Sequence, residues 1–255
     1  MQDEELIGLA RRLARQAAAA VMAVRAAGFA VEQKRDASPV TAADRIAEAL
    51  ITDGLREAAP EIPVVAEEAF EAGEIARAPG GRFWLVDPLD GTREFAAGLD
   101  SFAINIGLVA GGRPVLGVVA LPATGEVFGG IVGKGAWKED AAGARHAIQA
   151  RAIPPEGPLV IASRHYQRDA RIAEFAAAQR AQRIVNIGSA EKFCRLAEGT
   201  ADLYPRFGPT MEWDTAAPEA VLLAAGGAMA DWDGAPLRYG KPGWHNPGFL
   251  ARGAA

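Results

Sequence analysis

Trp84-Leu85-Val86-Asp87-Pro88-Leu89-Asp90-Gly91-Thr92 carries a hydrophobic strand straight into two carboxylates set three residues apart. Pro88 biases Asp87 towards an extended backbone. Gly91 lets the chain turn closely past a ligand. A helix opening near Thr92 would aim free N–H groups at an anion. Carboxylates at a strand end beside such donors are what a hard cation and a phosphate need together. Asp, Pro and Gly are also common turn formers, so residues 87–91 alone read equally well as a surface turn. The apolar lead-in, the Gly-Thr exit and further acids elsewhere weigh against that reading.

Those acids each have a bland explanation when taken singly. Glu67 and Glu68 follow the apolar run Val64-Val65-Ala66, and adjacent glutamates are usually a solvated pair. Asp214 follows Trp213 and opens an apolar helical stretch, where its ordinary role is helix capping. Asp44 in Thr41-Ala42-Ala43-Asp44 completes a capping-box pattern, with Asp in place of Glu or Gln. Together they share one property: all sit at element ends, where α/β proteins usually hold ligands.

The rest of the chain supports two lobes, 1–150 and 151–255. Leu6, Leu9, Leu13, Ala17, Ala20, Val21 and Val24 recur at helical spacing and predict a first helix ending near Gly28. A second helix is expected from Thr41, burying Ile46, Leu50, Ile51 and Leu55 and stopped by Pro60 and Pro63. Short strands at 64–66 and 83–86 precede a strand-rich stretch with runs at 102–108, 115–120 and 127–132. Beyond residue 158 the rhythm changes. Strands at 159–163, 183–187, 201–207 and 228–232 alternate with helices near 169–180, 189–198 and 214–225. The expected class is therefore α/β with an α+β N-terminal half.

The 255 residues carry a net charge of −5. That excludes broad attraction to nucleic acid or an anionic membrane. An acidic protein acting on an anionic substrate needs local positive charge, which a bound divalent cation supplies. The single cysteine, Cys194, cannot staple a fold and points to a reducing compartment; beside Phe193 it reads as core. The start Met1-Gln2-Asp3-Glu4-Glu5 lacks the basic character of a signal peptide, and the apolar run 17–24 is too short to span a bilayer. A cytoplasmic protein without integral membrane association is expected, either monomer or homodimer.

At this point the sequence resembles the inositol monophosphatase superfamily. The resemblance rests on Glu67-Glu68, on Trp84 through Thr92, and on Trp213-Asp214 followed by Gly226-Gly227, in that order. Within it the chain is more similar to 3′(2′),5′-bisphosphate nucleotidases of the CysQ type. That closer likeness lies in DPLDGTREF (87–95), KRDASPVTAAD (34–44), GSAEKFC (188–194), LYPRFGPTMEWD (203–214) and Asn246-Pro247-Gly248-Phe249. The resemblance implies a layered αβαβα sugar-phosphatase fold and magnesium-dependent hydrolysis of adenosine 3′,5′-bisphosphate to AMP. It also implies activity on 3′-phosphoadenylyl sulfate, and inhibition by lithium. By the same resemblance, Glu67, Asp87, the Leu89 carbonyl, Asp90 and Asp214 would hold two or three magnesium ions. Asp44, Thr92 and Glu67 would act on the attacking water. Leu89, Asp90, Gly91, Thr92, Ser163, Gly188, Ser189, Lys192, Arg206 and Asp214 would line the substrate.

Several of these residues have ordinary alternatives. Gly188-Ser189 reads as a helix cap or an anion nest, Lys192 as a solvated lysine and Arg206 as a surface ion pair. The relatives usually read [ST]-R-S-H where this chain has Ser163-Arg164-His165-Tyr166. Tyr166 thus stands at the expected histidine position, where it would be free to stack on a base. A phosphatase of the same scaffold acting on inositol phosphate or a sugar phosphate stays open, as does a non-catalytic metabolite-binding module.

Overall fold

The structure, a computed structural model, describes residues 1–33, 39–74 and 80–254. Part of the KRDASPVTAAD stretch, residues 34–38, lies outside the described residues.

Helix α1 (Asp3–Ala27) ends at Gly28, whose φ of 80° closes the helix. Its first turn carries Asp3, Glu4 and Glu5, which suit the positive end of the helix dipole. A short hairpin, β1 (Val31–Gln33) with β2 (Pro39–Thr41), leads into α2 (Ala42–Ala58). Then come β3 (Val64–Ala66), α3 (Glu67–Glu71), β4 (Arg82–Asp90) and α4 (Thr92–Ala96). A meander follows through β5 (Ala103–Ala110), β6 (Arg113–Leu121), β7 (Glu126–Ile131), β8 (Gly135–Glu139) and β9 (Arg145–Ile148). Strands β3 to β9 form one seven-stranded sheet in sequence order, and only its β3–β4 pair is parallel.

The second sheet is assembled from β10 (Leu159–Ser163), β11 (Arg183–Ile187), β12 (Leu203–Arg206), β14 (Ala228–Asp231) and β16 (Phe249–Arg252). Its order is β11-β10-β12-β16-β14, with β10 parallel to both β11 and β12. Helices α5 (Ala170–Ala178), α6 (Glu191–Ala197) and α7 (Ala216–Ala224) connect its strands. A two-stranded ribbon of β13 (Thr210–Met211) and β15 (His245–Asn246) lies beside it.

Period-two alternation along the first sheet sends side chains to two different cores. Trp84, Val86, Ile104, Ile106 and Leu108 meet the apolar faces of α1 and α2. Phe83, Leu85, Val109 and Val119 face the other way, onto α6, α7 and the second sheet. A third, smaller core of Val160, Ala176 and Leu203 covers the outer face of that sheet with α5. The order is helix, sheet, helix, sheet, helix, which is the expected αβαβα layering. Among the described residues, no helix is long and apolar enough to cross a membrane.

Some expectations need correction. Ile46 is 46% exposed and faces outward, while Ile51 and Leu55 are fully buried. The α2 apolar stripe is therefore narrower than a count of its hydrophobic residues suggests. Strand β4 continues to Asp90 instead of stopping at Val86. Strands β8, β9 and β16 and the β13–β15 ribbon were not foreseen, because their short runs lack clean alternation.

Helix α7 lies directly on the first sheet at a glycine pair. Gly107 on β5 and Gly117 on β6 stand opposite each other in register. A Cβ on Gly107 would lie 2.7 Å from the Ala217 amide nitrogen, and one on Gly117 would overlap the Ala217 carbonyl. Neither backbone can retreat cheaply from such overpacking. Gly117→Ala should therefore destabilise the fold by about 1–3 kcal/mol in denaturant titration. An unchanged midpoint would mean that the helix does not depend on this approach.

Candidate active site

The end of β4 is bulged. Asp87 pairs with Asn105 and Asp90 with Ala103, so three steps on β4 span two on β5. In a regular strand, residues three apart face opposite sides. The extra residue of the bulge turns Asp90 towards the side that Asp87 faces. Pro88 lies within the bulge, where a missing N–H costs no ladder bond. The Asp87 Oδ1 accepts the Leu89 N–H at 3.0 Å. Gly91 follows with φ 93°, and a Cβ there would stand 3.1 Å from the Ser101 carbonyl.

Two more acids join from other elements. Glu67 is the first residue after β3, which runs parallel to β4 with Ala66 beside Val86. Asp214 precedes α7 and accepts the Met211 N–H at 2.9 Å. The expected N-cap role of Asp214 is not realised, because Thr215 occupies the cap position. Burial pushes the Asp87 carboxyl well above its ordinary range, and the charges of Glu67, Asp90 and Asp214 add to this. Burial likewise raises Asp90, partly offset by Lys192. Asp214 is pushed up to about 8 by burial and then by Asp90 and Glu67. The acids therefore crowd one site. Among the described residues, no group of three His, Cys, Asp or Glu side chains is drawn together closely enough to hold an ion.

Asp44 serves two partners at once. Its Oδ2 accepts the Thr41 N–H and the Thr41 hydroxyl, both at 2.8 Å, which is the capping geometry read from sequence. Its Oδ1 accepts the Thr92 hydroxyl at 3.0 Å. The Leu89 carbonyl also lies 3.0 Å from Thr92 Oγ1, so one proton is shared between two acceptors. Burial raises the Asp44 carboxyl above its ordinary value, against the lowering effect of these hydrogen bonds.

Asp90, Gly91, Thr92, Glu67 and Asp214 line a cavity of about 310 Å³. Ser163, Ser189, Lys192 and Arg206 line it as well. These come from the C-terminal ends of the parallel strands β10, β11 and β12, where α/β sheets hold ligands. Gly188 lies behind the lining; a Cβ there would stand 2.8 Å from both Glu94 Oε1 and the Ser101 carbonyl. Ser189 adopts φ 49°, a conformation uncommon for a residue with a side chain. Lys192 is not the solvated lysine of the ordinary reading. It is 4% exposed, donates to the Ser189 carbonyl, and burial lowers its pKa to about 8. Among the described residues Arg206 forms no ion pair either: its Nε and Nη2 donate to the carbonyls of Gly208 at 3.2 Å and Pro209 at 3.0 Å.

Several lining residues were not singled out from sequence: Arg93, Glu94, His165, Tyr204 and Phe249. The carboxylate of Glu94, 97% removed from solvent, lies 3.0 Å from His165 Nε2. The position expected to hold histidine is thus corrected. His165 faces the cavity, and the Tyr166 ring stacks under the Arg206 guanidinium at 4.6 Å instead of lining the cavity to meet a base. Glu48 was also missed. Its carboxylate accepts the Glu68 and Ala69 N–H groups, both at 2.8 Å, and so secures the start of α3 beside Glu67. Cys194 is buried core, as read.

The crowded acids predict a sign for the pH dependence of stability. Asp214 binds its proton more tightly when folded, so its contribution is full below about pH 4 and is lost as pH rises through about 8. In chelator, the melting temperature should fall as pH rises from 5 to 9, and Asp214→Asn should flatten that fall. Parallel curves for the two proteins would show that the acids do not repel one another.

The inositol monophosphatase family model matches residues 2–252. The chain is 47% identical over 241 residues to the 3′(2′),5′-bisphosphate nucleotidase CysQ of Shigella flexneri, covering 93% of this chain and 96% of the relative. It is 46% identical, over the same shares, to the protein of that name from Escherichia coli strain K12. Its fold matches a crystal structure of CysQ from Bacteroides thetaiotaomicron, with a TM-score of 0.82 and 31% identity, covering 99% of this chain and 98% of the other. An inositol monophosphatase from Zymomonas mobilis matches with a TM-score of 0.80 and 28% identity, covering 100% and 94%. With the match spanning nearly every residue, this chain belongs to the inositol monophosphatase family.

Proposed function

We propose that this chain is a 3′(2′),5′-bisphosphate nucleotidase that hydrolyses the 3′-phosphate of adenosine 3′,5′-bisphosphate, giving AMP and phosphate. 3′-Phosphoadenylyl sulfate is a second substrate on this reading. The observation that carries it is that acids and cations line the same cavity. Glu67, Asp90 and Asp214 line it with Thr92, whose hydroxyl donates to Asp44, and so do Lys192 and Arg206. One phosphate can meet the acids and Thr92 while a second anionic group meets Lys192 or Arg206. The nucleotidases at 46–47% identity supply the substrate class.

The donor set suits magnesium, since it is all oxygen, partly buried and mutually repelling. Glu67, Asp87, Asp90, Asp214 and the Leu89 carbonyl would hold two or three ions. When bound, magnesium supplies charge neutralisation and acidifies water. The protein's own part is proton handling and positioning. Thr92 Oγ1 takes a proton from the attacking water while passing its own to Asp44 Oδ1. The water oxygen bonds to phosphorus, the bond to the ribose 3′-oxygen breaks, and that oxygen takes a proton from solvent. Burial makes Asp44 a stronger base than a free aspartate, and Thr41 holds its other oxygen in place. The Gly91 and Thr92 N–H groups grip the transferred phosphate, and Ser163, Ser189 and Lys192 contact the nucleotide.

Two experiments test this. Phosphate release from adenosine 3′,5′-bisphosphate, inositol 1-phosphate and fructose 1,6-bisphosphate, measured side by side with magnesium and again with chelator, should favour the nucleotide strongly and vanish on chelation. A preference for either sugar phosphate overturns the substrate assignment, and turnover in chelator overturns the metal assignment. In the second, Thr92→Ala and Asp44→Asn should each lower kcat by about 10²–10⁴-fold, while Thr92→Ser retains most of it. Circular-dichroism melts separate this loss from capping, since a stability change alone leaves kcat intact at low temperature.

A further inference from the structure

We propose that Tyr166 is a positioning residue for Arg206, and that through it the chain sets its affinity for the phosphate that is not hydrolysed. This rests on the reading that Arg206 receives the second phosphate.

An arginine recognises phosphate best when its planar fork is held in one orientation before the ligand arrives. Free in solution, the side chain has rotamer freedom that binding must remove. Here the fork is constrained from two directions. In its own plane, Nε and Nη2 are tied to the Gly208 and Pro209 carbonyls. Against its face lies the Tyr166 ring, with Cζ 4.6 Å from the ring centroid. Those hydrogen bonds, and a further one to the Tyr204 hydroxyl, occupy part of the five-donor fork and leave the rest for a ligand. Among the described residues no carboxylate lies in ion-pair contact with Arg206, though its charge reaches Asp90 and Asp214. Arg206 nonetheless lines the cavity.

The support is itself held in place. Tyr166 ends a 3-10 turn that directly follows β10. Its hydroxyl leans over Gly208, where a Cβ would stand 3.1 Å from Tyr166 Oη. A side chain at 208 would push on the ring, so a glycine there keeps Tyr166 against the guanidinium. From the far side, Trp232 Nε1 donates to the Arg206 carbonyl at 3.0 Å and fixes the backbone that carries the fork. Tyr166 itself does not line the cavity. Its effect on a ligand must therefore pass through Arg206, while His165, one residue earlier, takes the place on the cavity wall.

The test compares adenosine 3′,5′-bisphosphate with adenosine 3′-monophosphate, which lacks the second phosphate. Arg206→Gln should bring the two KM values together. Tyr166→Leu should raise KM for the bisphosphate about two- to fivefold, the size of one cation–π contact, and leave kcat and the monophosphate KM unchanged. Tyr166→Phe keeps the ring and should retain the wild-type KM. In the Arg206→Gln background, Tyr166→Leu should have no further effect, because the two residues act as one unit. A Tyr166→Leu variant that shifts both substrates alike, shifts neither, or acts undiminished without Arg206 overturns the proposal. If Arg206→Gln itself leaves the bisphosphate KM unchanged, the second-phosphate reading falls and takes this proposal with it.

Discussion

The backbone of α7 rests on β5 and β6 at Gly107 and Gly117 with no room for a Cβ between them. Much of the molecule depends on that approach. It joins the faces of the two sheets into one continuous core, in which Phe83 and Leu85 share a cluster with Phe193, Trp213 and Phe249. It also brings Asp214, two residues before α7, to the bulged end of β4. Acids more than a hundred residues apart in sequence thereby sense one another's charge.

Such crowding is unfavourable by itself. Buried carboxylates repel one another and resist ionisation unless positive charge compensates them. Apolar burial elsewhere must outweigh it, and the two large clusters on either face of the first sheet supply that burial. The mutual repulsion of these acids lies at the end of the sheet where the cavity opens. The same cavity bears the complementary sign in Lys192 and Arg206. Lys192 is desolvated enough to loosen its proton, whereas Arg206 keeps its charge in any surroundings. The two cations are therefore not interchangeable in function.

Different residues were legible to different degrees. The α1 spacing, the strands 159–163 and 183–187, and the α2 cap at Thr41 were readable because local periodicity and capping chemistry act over a few residues. Strand β16 was not. It enters the middle of the second sheet, antiparallel, from the far end of the chain, and nothing within Phe249–Arg252 announces that pairing. Ile46 misled because an apolar residue near a helix start can face either way. Lys192 was named for the substrate by resemblance, not by its residue type, because its burial and the Tyr204 ring are met only in the fold. The His165–Tyr166 reading failed by one residue: in a 3-10 turn adjacent side chains point in widely different directions, so a shift of one changes which enters the cavity.

The sequence by itself determined which chemistry was available. Asp87, Pro88, Asp90, Gly91 and Thr92 specify a strand end with two carboxylates, and further acids stand at the ends of other elements. Motif order was enough to place the chain in its family, because those groups must recur wherever the same ligands are held. Only the tertiary structure decided how they share one cavity: which face Asp90 turns to after the bulge, that Asp214 serves Met211 instead of capping a helix, and that Tyr166 supports Arg206. Those outcomes depend on contacts between segments distant along the chain. Local propensity carries no record of distance across the fold, and burial, the largest influence on the acids' protonation, exists only after the layers have closed.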